Sequence, residues 1–316
     1  MKRDLRIVFM GTPDFAVATL HQLLEHQYQV VGVITAPDKP AGRGQKLHES
    51  AVKQYAKSKD LTILQPTNLK DEAFLAELQA LNANLQIVVA FRMLPKSVWA
   101  MPEYGTFNLH ASLLPDYRGA APINWAIING ETQTGVTTFF IDEKIDTGAI
   151  IQSKQLDIAE DESAGSLHDR LMAVGSQLVI ETVQQIEAGT VNTTPQPPVE
   201  QPKTAYKLNR DNCKLDFSLD LNTIYNKIRG LSPYPAAWCL LENGDETVQI
   251  KIYKAEKEHA THKHPNGCLL AEKRSVKVAV SGGYLHLLEV QLPGKRSMPI
   301  SDLLNGYTIL KGAKLL

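Results

Sequence analysis

Residues 5–35 read LRIVFMGTPDFAVATLHQLLEHQYQVVGVIT. Three patterns follow one another in that stretch. Leu5–Gly11 is an apolar run of strand length, Pro13–His26 places Phe15, Ala18, Leu20, Leu23 and Leu24 on one side of a helix, and Gln29–Thr35 is apolar again. Strand, helix and strand in that order predict two parallel strands joined by a crossover. The pattern continues with a polar loop, a helix over Val52–Lys59 and a short strand over Leu61–Leu64. A helix over Leu69–Leu81 comes next, with Asn68 as its N-cap and Phe74, Leu75 and Leu78 spaced for burial. Leu85–Phe91 is nearly continuous in apolar residues, as expected of a strand covered on both faces. This alternation predicts a doubly wound α/β domain.

The sheet is expected to be mixed. Gly135–Ile141 and Ala149–Leu156 both read as strands, and the residues between them are fewer than the dozen or so that a crossover helix needs, so the two should pair antiparallel. A long helix follows over Ser163–Ala188, with Leu167, Leu171, Val174, Leu178 and Ile186 at helical spacing and Gly189 as its terminator. Thr193–Pro202 (TTPQPPVEQP) holds four prolines and reads as a semi-rigid, extended linker. Beyond it lie one helix signal, Leu221–Arg229, and short strands at Ala237–Leu241, Thr247–Ala255, Ser275–Val280 and Leu285–Gln291. Strands of that length and spacing suggest a small barrel. The expected division is residues 1–189, a linker at 190–206, and a second domain at 207–316.

The 316-residue length suits two domains. No apolar stretch approaches the roughly 18–20 residues of a membrane helix, and Ile7–Met10 is too short for a signal-peptide core. Cys213, Cys239 and Cys268 are odd in number and widely spaced, which argues against a disulfide framework or a zinc motif and fits a reducing cytoplasm. Net charge is −1, but it is unevenly placed. Residues 1–202 carry 16 basic and 23 acidic side chains, while residues 203–316 carry 17 and 11, a net +6. That asymmetry is compatible with a polyanion partner for the basic half, and equally with a well-solvated surface.

The chemistry is expected in two segments. In Gly105–Gly119 (GTFNLHASLLPDYRG), a strand over Thr106–His110 would put Asn108 and His110 on one face, at a strand end where open α/β sheets bind ligands. In Phe140–Gly148 (FIDEKIDTG), Asp146 sits in a sharp turn from which it could reach the imidazole and hold it cationic. A carboxamide, an imidazole and a carboxylate suffice to stabilise an oxyanion, each such donor being worth about 2.7–4 kcal/mol. The same residues also fit ordinary strand-end hydrogen bonds and turn chemistry. Ser112–Pro115 reads as an exposed apolar loop able to wall a pocket for a flat ring, or equally as a buried loop anchor. Gly119–Pro122 lets a helix start with proline in its first turn.

The loop Asp38–Lys46 (DKPAGRGQK) is basic and glycine-rich but has neither the dinucleotide fingerprint nor the P-loop pattern. Lys39, Arg43 and Lys46 could contact phosphates, or the loop could be a mobile, solvated one. His259, His262 and His264 lie near one another in sequence, yet no carboxylate or thiolate stands at ligand spacing, so no metal is expected.

Taken together, Val8–Phe15 (VFMGTPDF), Pro40–Gly44 (PAGRG), Asn108-Leu109-His110, Ser112–Pro115 with Arg118–Pro122, Asp146-Thr147-Gly148 and Asp302–Tyr307 resemble the folate-dependent formyltransferases over the whole chain. The resemblance implies a catalytic domain of Rossmann-like topology and an OB-like second domain. It implies 10-formyltetrahydrofolate as formyl donor and no metal. Asn108, His110 and Asp146 match the catalytic positions. Folate would lie near Ser112, Leu113, Leu114 and Pro115, near Phe91, Met93 and Leu94, and near Asp142. The triad is shared across the superfamily and does not by itself choose the acceptor. The arginine-glycine loop and the basic C-terminal half point to tRNA, with Lys39, Arg43, Lys46 and Lys207 as contacts. The implied acceptor is initiator methionyl-tRNA, formylated for translation initiation by a cytoplasmic monomer. A nucleotide-sugar amine, glycinamide ribonucleotide or water as acceptor, or a non-catalytic RNA-binding relative, are the alternatives. Arg92 and Met93 stand after Phe91 where the family commonly has a glycine.

Overall fold

The structure, a computed structural model, describes residues 2–41 and 46–316. It divides into two compact units, one of Met1–Gly119, Gly135–Leu156 and His168–Thr204, the other of Ala120–Thr134, Asp157–Leu167 and Ala205–Leu316.

The first unit is built on a seven-stranded sheet. Its strands lie in the order Ile150–Asp157, Gln133–Phe140, Thr106–His110, Leu85–Val89, Arg6–Gly11, Gln29–Ile34 and Ile63–Leu64. Arg6–Gly11 is parallel to both of its neighbours, and Thr106–His110 is parallel to Leu85–Val89 but antiparallel to Gln133–Phe140. The sheet is therefore Rossmann-like and mixed. The chain builds outward from Arg6–Gly11 to one edge, then returns to lay Leu85–Val89 on its other side, which creates a topological switch point between those two strands. Ile7, Val8, Phe9 and Met10 are all completely buried, so the continuous apolar run reports a strand covered on both faces.

Helices Asp14–Glu25, Ala51–Ser58 and Glu72–Ala80 come in the chain after Arg6–Gly11, Gln29–Ile34 and Ile63–Leu64, the first three strands of this sheet, with a small hairpin between the second strand and its helix. In Asp14–Glu25 the buried side is Phe15, Ala16, Thr19, Leu20 and Leu23, a stripe rotated away from Ala18 and Leu24. Asn68 is not the cap of the third helix. The Asp71 carboxylate accepts from the Phe74 amide at 3.0 Å and starts the helix, whereas the Asn68 side chain accepts from Lys70 N and closes a turn just before it. The helix Ala164–Ala188 ends at Gly189, whose φ of +70° supplies the left-handed terminator expected there. Within Thr193–Pro202, Thr194 and Ile150 exchange two backbone hydrogen bonds of 2.8 Å, a single antiparallel rung on the first residue of the edge strand Ile150–Asp157. Lys39–Ala41 pairs antiparallel with Lys46–His48, so the flanks of the basic glycine loop form a small hairpin.

The second unit is a six-strand path, Leu269–Ala271, Val276–Val280, Gly283–Gln291, Glu246–His259, Ala237–Asn243 and Lys314–Leu315, with Met298–Pro299 paired beside Gly283–Gln291. The last strand comes back to the first. Leu269 N donates to Ala313 O at 3.0 Å and Leu315 N to Gly267 O at 2.9 Å, which nearly closes an antiparallel barrel. Helix Leu221–Leu231, capped by Asp220, buries Ile224, Ile228 and Leu231 in a cluster with Ile250, Ile252, Val278, Leu285 and Val290. Helix Pro122–Ile128, with proline in its first turn, packs on it. The Asn124 carboxamide donates to Gly230 O at 2.8 Å, and a Cβ on Gly230 would lie 2.7 Å from Ile128 Cγ1. Cys213 and Cys239 are buried, and all three cysteines are free.

Candidate active site

Thr106–His110 brings the central pair to the C-terminal end of its strand. Asn108 lies opposite Val88 on one side and Phe139 on the other, and His110 lies opposite Thr137. Two residues apart on one strand, their side chains share a face. His110 is 6% exposed. Its Nε2 is 2.8 Å from the carbonyl oxygen of Tyr117. A carbonyl only accepts, so Nε2 carries hydrogen in either charge state and Nδ1 is the nitrogen that gains or loses the proton. That Nδ1 lies 3.9 Å from Asp146 Oδ2. This is an ion-pair separation and is too long for a hydrogen bond, so a proton on Nδ1 is not committed to the carboxylate. Among the described residues, no hydrogen-bond partner of the half-buried Asn108 carboxamide is present, which leaves it available to a ligand.

The backbone between residues 116 and 119 connects the other parts. Asp116 O accepts from Ser112 Oγ at 2.7 Å, Tyr117 O accepts from His110, and Gly119 N donates to Asp146 Oδ2 at 3.0 Å. Tyr117 has φ +59°, a left-handed conformation unusual for a bulky residue, and Asp146 has φ +54°. The turn that carries Asp146 is tightly packed, because a Cβ on Gly148 would lie 1.6 Å from Phe140 O. Gly148→Ala is therefore expected to destabilise the protein by about 1–3 kcal/mol and to lower activity with it. A thermal unfolding midpoint equal to that of the parent would contradict this packing.

The other expected ligand contacts fall into two groups. Ser112–Pro115 is not an exposed loop. Ser112 is completely buried and Leu114 is 7% exposed, because the Thr137 hydroxyl donates to Ser112 O at 2.7 Å and accepts from Leu114 N at 3.3 Å, satisfying the turn inside the fold. Leu113 packs over Gly135, and Leu113 and Pro115 stay half-buried. Leu94 is buried in an apolar cluster with Met10, Val88 and Val98, against which Phe91 and Ile141 also pack, while Met93 is 65% exposed. Arg92 bonds the carbonyls of Pro66 and Thr67, which ties the Phe91–Leu94 loop to a neighbouring one. Asp142 Oδ1 accepts from Lys144 N at 3.0 Å and from Thr147 Oγ1 at 2.8 Å, so it closes the turn before Asp146.

Lys39 is exposed on its hairpin and Lys207 is exposed in the second unit. Lys46 begins the strand Lys46–His48, and Arg43 lies outside the described residues. His262 Nε2 faces the carbonyls of Val280 and Gly283, its ring lies 4.5 Å from that of Tyr284, and among the described residues no metal-competent group of three or more side chains occurs. No described helix is long and apolar enough to cross a membrane.

Residues 5–183 match the formyl transferase family, and residues 207–308 match the formyl transferase C-terminal domain. The chain belongs to the formyl transferase family. A methionyl-tRNA formyltransferase of Flavobacterium johnsoniae is 61% identical over 98% of this chain and 99% of its own length. That of Flavobacterium psychrophilum is 61% identical over 97% of each. Among solved structures, WlaRD, a sugar 3N-formyl transferase, superposes with a TM-score of 0.65 at 21% identity, over 93% of this chain and all of that one. In this formyl transferase, sequence reading gave no role to Tyr117 or Gln196 and took Arg118 only as part of a motif. Tyr117 acts through its backbone carbonyl, for which residue type is no guide. Gln196 left one signal, a lone carboxamide between prolines.

Proposed function

We propose that the chain transfers the formyl group of 10-formyltetrahydrofolate to the α-amino group of initiator methionyl-tRNA, giving N-formylmethionyl-tRNA. The observation that carries this reading is the near-full-length identity to methionyl-tRNA formyltransferases. The convergence of Asn108, His110 and Asp146 supports it. Residues 1–189 carry the reaction, 190–206 link, and 207–316 hold the tRNA. The enzyme works as a monomer in the cytoplasm.

An α-amino group has a reference pKa of about 7.7–8.0, so much of the acceptor is neutral near physiological pH and needs little activation. Its nitrogen bonds to the formyl carbon, and the carbonyl oxygen becomes an oxyanion. Asn108 donates its carboxamide N–H to that oxygen. His110, held by Tyr117 through Nε2, presents Nδ1–H to that oxygen, with the Asp146 carboxylate 3.9 Å from the same nitrogen. The bond from carbon to folate N10 then breaks. His110 gives its Nδ1 proton to N10 and takes one from the attacking nitrogen, so the imidazole ends as it began.

Lys39, Arg43, Lys46 and Lys207 contact tRNA phosphates, and Leu113, Pro115, Phe91 and Met93 line the folate side. Phosphate contacts make binding salt-dependent. Raising monovalent salt from about 50 to 200 mM should raise KM for tRNA at least about tenfold, with little change in KM for the folate. Equal shifts in both would remove the phosphate contacts from the scheme. A competition assay tests the reading as a whole. Labelled 10-formyltetrahydrofolate is offered to methionyl-tRNA, uncharged tRNA, glycinamide ribonucleotide and an amino-sugar nucleotide together. Label should enter methionyl-tRNA, and label in one of the small amines instead would overturn the assignment.

A further inference from the structure

Read as sequence, Thr193–Pro202 is only a spacer, and eight of its ten residues are indeed exposed. Gln196 is one of the two that are half-buried. Its Oε1 accepts from Arg118 Nε at 3.1 Å and Arg118 Nη2 at 2.5 Å. Its Nε2 donates to Asp146 O at 2.9 Å and to Gly148 O at 2.8 Å. A carboxamide offers two donor hydrogens and two main acceptor directions, and here all four are used. Pro195 and Pro197 on either side restrict the backbone that carries it.

The targets of these bonds are specific. Asp146 and Gly148 are the two ends of the turn whose left-handed residue supplies the carboxylate facing His110. Arg118 immediately precedes Gly119, whose amide holds that same carboxylate. Gln196 thus joins the back of the Asp146 turn to the segment that holds its front. We propose that Gln196 is a positioning residue for formyl transfer: its carboxamide registers the Asp146 turn against Arg118–Gly119 and so keeps the carboxylate at its distance from the His110 ring. The proposal rests on the reading above, in which the Asp146 carboxylate faces the His110 ring during formyl transfer.

Such a residue acts through Asp146 and touches neither substrate. Loss of its bonds weakens the interaction that matters most while charge develops on the formyl oxygen, so the cost falls on kcat rather than on either KM. The test is a double-mutant cycle on the full-length chain, with kcat and both KM values measured for Gln196→Met and Gln196→Glu, each in the wild-type and in the Asp146→Ala background. Gln196→Met should lower kcat by about 10- to 100-fold with both KM values within about twofold, the scale expected when a reacting group is misplaced by a fraction of an ångström to an ångström. In the Asp146→Ala background the same change should cost less than about twofold, because two residues acting through one interaction are not additive. Gln196→Glu keeps the size and the Arg118 contacts but loses both donations, so it should fall with the methionine variant, and it covers the case in which that variant does not fold. A kcat within twofold of wild type, an equal loss in both backgrounds, or a loss confined to KM would each overturn the proposal. If the parent instead formylates a different amine, the functional reading fails and the cycle is run with that amine, which still decides the role of Gln196.

Discussion

Replacing His110 with alanine is expected to lower kcat by about 10³-fold, while KM for the folate changes by no more than about twofold. In the proposed mechanism the ring has two tasks, a donor to the oxyanion and a carrier of the proton that N10 must receive, and neither strengthens ground-state binding. The buried ring also makes a structural bond, from Nε2 to Tyr117 O, so loss of activity in the alanine variant has to be separated from loss of the fold. His110→Gln does this. A glutamine can donate to the Tyr117 carbonyl much as Nε2 does, but it cannot be cationic or move a proton. The glutamine variant should melt close to wild type and still lack most of its kcat. A folded His110→Gln enzyme with more than about a tenth of wild-type kcat would show that His110 is a structural residue, since general acid–base catalysis contributes at least about 10²-fold.

Asn108→Ala is expected to cost between about 10² and 10³ in kcat, the range for removing one preorganised donor from an oxyanion site. The reason it should approach the upper part of that range is its lack of other duties. Among the described residues nothing else engages the Asn108 carboxamide, so its loss leaves no buried protein group unsatisfied and little stability is at stake. Asn108→Asp is the sharper variant. It keeps the shape, exchanges a donor for an acceptor, and places negative charge beside the developing one. Its kcat should be no higher than that of the alanine variant, and single-turnover rates with saturating folate would measure both. An aspartate variant that works as well as wild type would mean that Asn108 does not face the reacting carbonyl.

Much of the fold is legible because its signals are periodic. Arg6–Gly11 and Leu85–Val89 read as covered strands from nearly continuous apolar runs, and the shared face of Asn108 and His110 follows from the period of a strand. Signals shorter than a period are lost. Leu269–Ala271 and Lys314–Leu315, which bring the barrel towards closure, hold three and two residues and show no alternation to read. The competition between Asn68 and Asp71 for the helix start is decided by which carbonyl oxygen meets the Phe74 amide, and both residue types are good caps. The burial of Ser112 and Leu114 depends on a hydroxyl 25 and 23 residues away, that of Thr137, and hydrophobicity alone makes the loop look like a wall. Reach from Asp146 to His110 could be suspected from the turn chemistry of Asp146-Thr147-Gly148, whereas the bonds from Gln196 to that turn span 48 and 50 residues and have no local trace.

The backbone exchange between Thr194 and Ile150 has a separate consequence. Ile150–Asp157 is the outermost strand on its side of the sheet, and an uncovered outermost strand is a template for another molecule's chain. The tract covers one rung of that template, at Ile150, and its prolines offer few amides of their own to recruit a further strand. Exchanging this tract for a glycine–serine tether would therefore do more than change its stiffness, because it would put a run of free amides beside that rung where prolines now stand.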